Sequence, residues 1–133
     1  KKFEIAVFLT ATDIFRDHTW IAKAVNILKE KTEIESVFAG YKTHKNFWEQ
    51  DRYGKWNRLR DWMSTYQSRQ VRKFVIREDT GLSCASRAYL WREGRRIGDK
   101  VDIIMHENDL SSIDIHTKED LELANLIMKN FKQ

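Results

Sequence analysis

Apolar positions along this chain switch between two spacings, and the switches mark its elements. Glu4 to Leu9 is a mostly apolar run fit for a buried strand, and Thr10 to Arg16 then reads as a polar loop. Ile21, Ala24, Val25 and Leu28 recur at helical spacing, with Asp17 or Thr19 as the cap and Lys29-Glu30-Lys31 closing the helix with charge. Ser36 to Tyr41 is a second strand. A strand, a helix and a strand in that order predict the kind of unit that builds parallel sheets, and such units place ligands at strand C-terminal ends.

From Lys42 to about Arg72 the periodicity fails. Phe47, Trp48, Tyr53, Trp56, Trp62 and Tyr66 are scattered among charges, with Gly54 as the clear turn. This stretch predicts an excursion, about 42–77, whose aromatics need covering, and a second copy of the chain is one cover. Order then resumes. Lys73 to Ile76 reads as a strand, Gly81 as a turn, Leu82 to Ala85 as a short strand, and Ser86 as the cap of a helix from Arg87 to Glu93 stopped by Gly94. Lys100 to Met105 is the next strand. Ser112 to Thr117 reads as a short strand feeding a helix from Lys118 to Asn130, with Thr117 and Asp120 spaced as a capping box. The pattern is α/β.

A length of 133 residues fits one domain with a sizeable core. No apolar run approaches a membrane span, and the apolar start is too short for a secretory signal, so the reading is a protein without membrane association. The single cysteine, Cys84, cannot form an internal disulfide, and a reducing cytoplasm is the expected compartment. The net charge of +4 is modest because both signs are interspersed. Basic residues thicken from Arg58 to Arg77, which is either a solvated face or a surface with affinity for phosphate and carboxylate groups.

Candidate chemistry gathers in few places. Asp114 and His116, two apart on a strand, share a face opposite Ile113 and Ile115. They are either the solvated face of an edge strand or a pair able to hold a divalent cation or orient a substrate hydroxyl. Thr10, Thr12, Asp13 and Arg16 precede a helix start, where backbone N–H groups and a cation receive an anion; the alternative is a surface loop with an Arg salt bridge. No glycine-rich phosphate loop is present. His44, Asn46 and Trp48 suggest either a pocket or ordinary packing, and Cys84 reads as a small core residue rather than a nucleophile.

The segment Ser112-Ile113-Asp114-Ile115-His116-Thr117-Lys118-Glu119-Asp120-Leu121 resembles the C-terminal signature of the acylneuraminate cytidylyltransferase family, Ser-Ile-Asp-Ile-Asp-Thr followed by acidic residues and Leu. Phe8 to Arg16 resembles that family's strand and Thr-Ser-Pro-Leu-Arg loop, and Ser36 to Ala39 its Asp-Ser-Val-Val strand. Arg77 to Ala85 resembles its Arg-Glu-Asn-Gly-Ala-Ile-Tyr, and Gly98 to Met105 its Gly-x-x-Val strand. The resemblance implies a Rossmann-like nucleotidyltransferase fold with a mostly parallel sheet, flanking helices and a dimerisation excursion. It implies transfer of CMP from CTP to a sugar acid of the sialic-acid kind, with release of pyrophosphate, in a homodimer. It further implies Mg²⁺ held by Asp114, catalytic roles for Asp114, His116 and Arg16, and substrate contacts from Thr10, Thr12, Arg69, Gln70, Thr80 and Cys84, with Arg69 on the substrate carboxylate. His116 stands where the family has Asp, Thr10 where it often has Gln, Thr80 where it has Asn and Cys84 where it has Tyr. The whole chain, 1–133, then corresponds to the C-terminal part of such a domain, without the N-terminal triphosphate cradle, and is expected to be inactive alone. The alternatives are a non-catalytic relative that binds nucleotide sugars or scaffolds a partner, and a nucleic-acid-binding module, which the even mixture of acids disfavours.

Overall fold

The computed structural model describes residues 2–68 and 70–130. Its strands are β1 (Ile5–Phe8), β2 (Ser36–Thr43), β3 (Trp48–Gln50), β4 (Trp56–Arg58), β5 (Val75–Glu78), β6 (Cys84–Arg87) and β7 (Val101–His106). The helices are α1 (Thr19–Glu30), α2 (Ala88–Arg92) and α3 (Lys118–Asn130), with 3₁₀ turns at Asp61–Ser64 and Asp109–Ser112. No helix among the described residues is long and apolar enough to cross a membrane.

β2 organises the main sheet. One edge pairs in parallel with β7, from Ser36↔Val101 to Tyr41↔His106. The other edge pairs antiparallel with β6 along Ser36 to Phe38 and with β5 along Gly40 to Thr43. β6 in turn pairs antiparallel with β1, Phe8 facing Cys84. It follows that β1, β2 and β7 run one way while β5 and β6 run the other. The α/β class is as expected, and the sheet is mixed: three ladders are antiparallel and one is parallel. Gly40 has room for no side chain, since a Cβ there meets the methyl groups of Ile76 and Ile103. Ile76 lies on β5 and Ile103 on β7, the two neighbours of β2.

The core lies between α1 and the sheet. Trp20, Ala24 and Leu28, at helical spacing, pack on Val37, Ala39, Ala85 and Ile104 from three strands, and Leu82 closes the cluster. Arg87 ties the far end of α1 to the sheet: its guanidinium donates to the carbonyls of Leu28 (2.7 Å), Lys31 (3.1 Å) and Ile34 (3.0 Å). These are carbonyls left open where a helix ends, and a cation there also suits the helix dipole. α3 is far less engaged, with Ala124 its buried residue.

Several boundaries differ from the sequence reading, each for a tertiary reason. Ser86 does not cap a helix. It lies on β6, fully buried, sharing a hydrogen bond with the Ser36 hydroxyl (2.7 Å) and donating to the Arg96 carbonyl (2.6 Å). β2 runs on to Thr43 and β5 begins at Val75, so the excursion is confined between them. Within it, β3 and β4 form a hairpin whose turn uses Gly54 at φ 84°, a conformation that favours glycine. Residues 113–117 form no strand: Ile115 donates one hydrogen bond to the Thr12 carbonyl (3.0 Å), and no ladder builds from it.

Candidate functional site

Because β1, β2 and β7 share a direction, their C-terminal ends share one edge of the sheet. The β1–α1 loop and the segment after β7 meet there, joined by the Ile115 to Thr12 hydrogen bond. A third piece comes from an interruption in the β5/β6 column. The Ala39 carbonyl accepts from the Asp79 N–H (2.9 Å) and the Ala39 N–H donates to the Ser83 carbonyl (3.0 Å), so Thr80, Gly81 and Leu82 leave the ladder. They run to the β1–α1 loop.

The junction is tight. The Gly81 carbonyl accepts from the Thr10 N–H (2.9 Å), the Thr10 hydroxyl (3.2 Å) and Arg16 Nη2 (3.0 Å), and the Thr10 hydroxyl also donates to Asp13. Arg16 donates in addition to the carbonyls of Leu82 (2.9 Å) and Thr10 (2.6 Å). Its guanidinium therefore binds protein backbone and holds two loops together, which makes it a positioning residue in this structure. A cleft of about 730 Å³ opens beside it, between Phe15, Trp20, Asn108, Leu110 and the Ile127–Met128 end of α3.

Asp114 and His116 do touch, although the segment is not a strand. His116 Nε2 lies 2.5 Å from Asp114 Oδ2. Asp114 Oδ1 is buried with no hydrogen-bond partner among the described residues. The capping box is present: Asp120 accepts from the N–H groups of His116 and Thr117 (both 3.0 Å), and the Asp120 N–H donates to the Thr117 hydroxyl (3.1 Å). Those backbone bonds hold the Asp120 carboxyl below its usual range.

Among the described residues no group of three or more His, Cys, Asp or Glu is placed to hold a metal, so there is no closed protein cage. A bare buried carboxylate oxygen nevertheless fits a hard cation. Mg²⁺ keeps several waters and commonly takes only one or two carboxylates beside substrate phosphates. Asp114 is thus the carboxylate that would suit such a cation, and the imidazole of His116 would be a poor ligand for it.

The remaining expected contacts separate. Thr10, Thr12 and Thr80 belong to the loops of this edge. Gln70 is exposed, in a turn of the excursion, and Arg69 lies outside the described residues. Cys84 is 1% exposed, inside the sheet between Phe8 and Phe38, and burial pushes its thiol up. A ligand does not reach it there, so Cys84 is a core residue and not a substrate contact. β6 is flanked on both sides, a burial that residue type alone does not reveal.

Sequence reasoning missed the polar network behind the edge. His106 and Asp79, with side chains 7% and 9% exposed, are 3.2 Å apart at Nε2 and Oδ2. Asn108 N–H donates to His106 Nδ1 (3.2 Å), so Nε2 carries the proton and donates to Asp79. Trp20 stacks on the ring at 4.5 Å. Arg77 forks onto Asp79 (2.7 and 3.0 Å), reaches the Ser111 hydroxyl (3.2 Å) and lies over the Tyr41 ring, and the Asp79 bond holds its guanidinium above the usual value. These groups come from α1, β2, β5, β7 and the adjoining loops, and no spacing along the chain marks them as neighbours.

No family model matches the chain, and no curated protein matches it. Among solved structures it is similar to the 4-diphosphocytidyl-2C-methyl-D-erythritol synthase of Anaerococcus prevotii DSM 20548, with a TM-score of 0.61 and 15% identity. The similarity covers 96% of this chain and 59% of that one. The chain thus shares the α/β fold of that protein, with a mixed sheet and flanking helices. At this identity the likeness establishes the fold alone.

Proposed function

We propose that the chain is part of a cytidylyltransferase-like enzyme that transfers CMP from CTP to a sugar acid of the sialic-acid kind, releasing pyrophosphate. The observation that carries this reading is the unpartnered Asp114 oxygen at the strand-end edge, beside the Thr12 loop. Support also comes from the fold shared with a protein whose name describes a diphosphocytidyl product. In such a transfer the acceptor hydroxyl oxygen bonds the α-phosphorus, the bond to the β-phosphate oxygen breaks, and pyrophosphate leaves. Mg²⁺, when bound, offsets charge on the phosphates. Asp114 holds the cation, and His116 fixes the carboxylate through Oδ2. Thr10 holds the Gly81 turn in place, the Thr12 and Thr80 hydroxyls meet the acceptor, Arg16 locks the loops that present them, and Arg69 with Gln70 meets the acid group. The exposed aromatics of the excursion pack against a second copy, and the setting is the cytoplasm.

A second reading, a non-catalytic binder of nucleotide sugars, is favoured by one observation: His116 already occupies one oxygen of Asp114. The test is pyrophosphate release from CTP and N-acetylneuraminate by the whole reading frame's product. We expect Mg²⁺-dependent release that falls at least 100-fold in Asp114→Asn and falls in His116→Asp as well. Turnover unchanged in Asp114→Asn sinks the site assignment. A large gain in His116→Asp identifies an eroded relative.

A further inference from the structure

The segment that carries Asp114 is fastened at two points. Behind it the Ile115 N–H donates to the Thr12 carbonyl, and ahead of it the 3₁₀ turn Asp109–Ser112 is tied to the sheet. The tie is polar. The buried Ser111 hydroxyl accepts from Arg77 Nη2 (3.2 Å), and Asn108, whose side chain accepts from the Leu110 N–H (3.1 Å), donates its own N–H to His106 Nδ1 (3.2 Å). Both lines run back to one carboxylate, since Asp79 accepts from Arg77 at each oxygen and from His106 Nε2. Asp79 also opens the Thr80–Leu82 turn, with its N–H on the Ala39 carbonyl. It thereby joins the turn that carries Thr80 to the segment that carries Asp114.

We propose that Asp79, acting through Arg77 and His106, is a positioning residue for the Asp114 carboxylate, and that it holds this role while the His106 ring is neutral. The inference rests on the reading of Asp114 as the ligand of a divalent cation. A neutral imidazole has one donor and one acceptor, and both are used here; an imidazolium has two donors, so its Nδ1–H would confront the Asn108 N–H and loosen the turn. The charged groups facing the ring are Asp79 and Arg77, from β5 and the loop after it. α1 contributes Trp20, stacked on the ring, and β2 contributes Tyr41, edge-on, with its hydroxyl held by Asp109. Burial of the ring disfavours its charged form, with Arg77 assisting and Asp79 opposing. Asp79→Asn keeps the shape of the side chain and breaks the logic. Its amide N–H₂ meets a donor on Arg77 or His106, and a switch of the ring to its other tautomer moves the conflict to Asn108.

Two measurements on the whole reading frame's product test this. Hydrogen exchange at the Ile113 and Ile115 amides, which flank Asp114, reads the position of the segment without reference to activity. The Mg²⁺ concentration that gives half-maximal pyrophosphate release reads its consequence. We expect Asp79→Asn to speed exchange at both amides and to raise that concentration about ten-fold, the lower end of what residues holding a metal's ligands in place command. In the parent the concentration rises further as pH falls below about 6.5, where the ring gains its proton, and His106→Gln, which offers a donor and an acceptor without titrating, lacks that step. If Asp79→Asn does not fold, Ser111→Ala breaks one of the two lines and carries the same test with a smaller rise. Unchanged exchange overturns the inference, as does faster exchange with an unchanged Mg²⁺ requirement, which marks a merely structural role, or an acid step retained in His106→Gln. A parent without Mg²⁺-dependent release defeats the enzyme reading instead, and exchange alone then decides whether Asp79 holds the segment.

Discussion

Replacing Arg16 by alanine separates a loop clamp from an anion receptor. Arg16 donates to the carbonyls of Leu82, Thr10 and Gly81 at 2.9, 2.6 and 3.0 Å, joining stretches 65 or more residues apart in two cases and six in the third. Hydrogen bonds involving a charged group contribute about 1.5 to 3 kcal/mol each in mutational series. The three share one side chain, two share one nitrogen, and the Gly81 carbonyl keeps its Thr10 partners, so the sum is not additive. We expect Arg16→Ala to lose about 2 to 4 kcal/mol, a large part of the roughly 5 to 15 kcal/mol of a typical domain. Arg16→Lys keeps the charge without the planar fork and recovers less than half. Urea denaturation measures the loss, and hydrogen exchange at the Thr10 amide, which is bonded to Gly81, locates it. A variant within about 0.5 kcal/mol of the parent, below the value of even one such bond, refutes the clamp. In that event Arg16 is free to receive an anion.

Two further outcomes follow from the same region. Gly81→Ala places a Cβ 2.5 Å from Thr10 Oγ1 and against the Asp13 carboxylate, two short side chains already bonded to each other, and overpacking of this kind costs about 1 to 3 kcal/mol. The penalty shrinks in a Thr10→Ala background, and equal penalties in both backgrounds argue against the contact. Burial holds the His106 imidazole below its ordinary value, outweighing the attraction of Asp79. The unfolded chain therefore binds the proton more readily. Stability from this group is complete above about pH 6.5 and is lost as pH falls below that toward the folded-state value, by at most about 1.4 kcal/mol per pH unit for one proton. Unfolding free energies measured from pH 7.5 to 5 carry that slope in the parent and not in His106→Gln; identical slopes contradict it.

Much of the local structure was legible along the chain. The spacing of Ile21, Ala24, Val25 and Leu28 marks α1, and the Thr117 and Asp120 pair marks the start of α3, because both depend on residues within a turn or two. The five strands of the main sheet were found to within about two residues, while β3 and β4 were missed. The neighbours of each strand were not found, and three misreadings share that origin. Ser86 resembles a cap by type, yet its hydroxyl pairs with Ser36 across the sheet. Cys84 is a substrate contact by the family resemblance, yet β1 and β2 enclose it. Residues 113–117 alternate like a strand, yet no partner edge runs beside them.

The sequence by itself determined the α/β alternation, the helices, the capping box of α3, and the presence of Asp114 and His116 two residues apart. Only the tertiary structure decided what those residues face. It turned Arg16 toward backbone carbonyls, left Asp114 Oδ1 bare, and assembled His106 with Asp79 and Arg77. The physical reason is range. Periodicity and capping are settled between residues a few positions apart, whereas burial, charge pairing and hydrogen-bond partnership depend on which distant strands the packed core brings together.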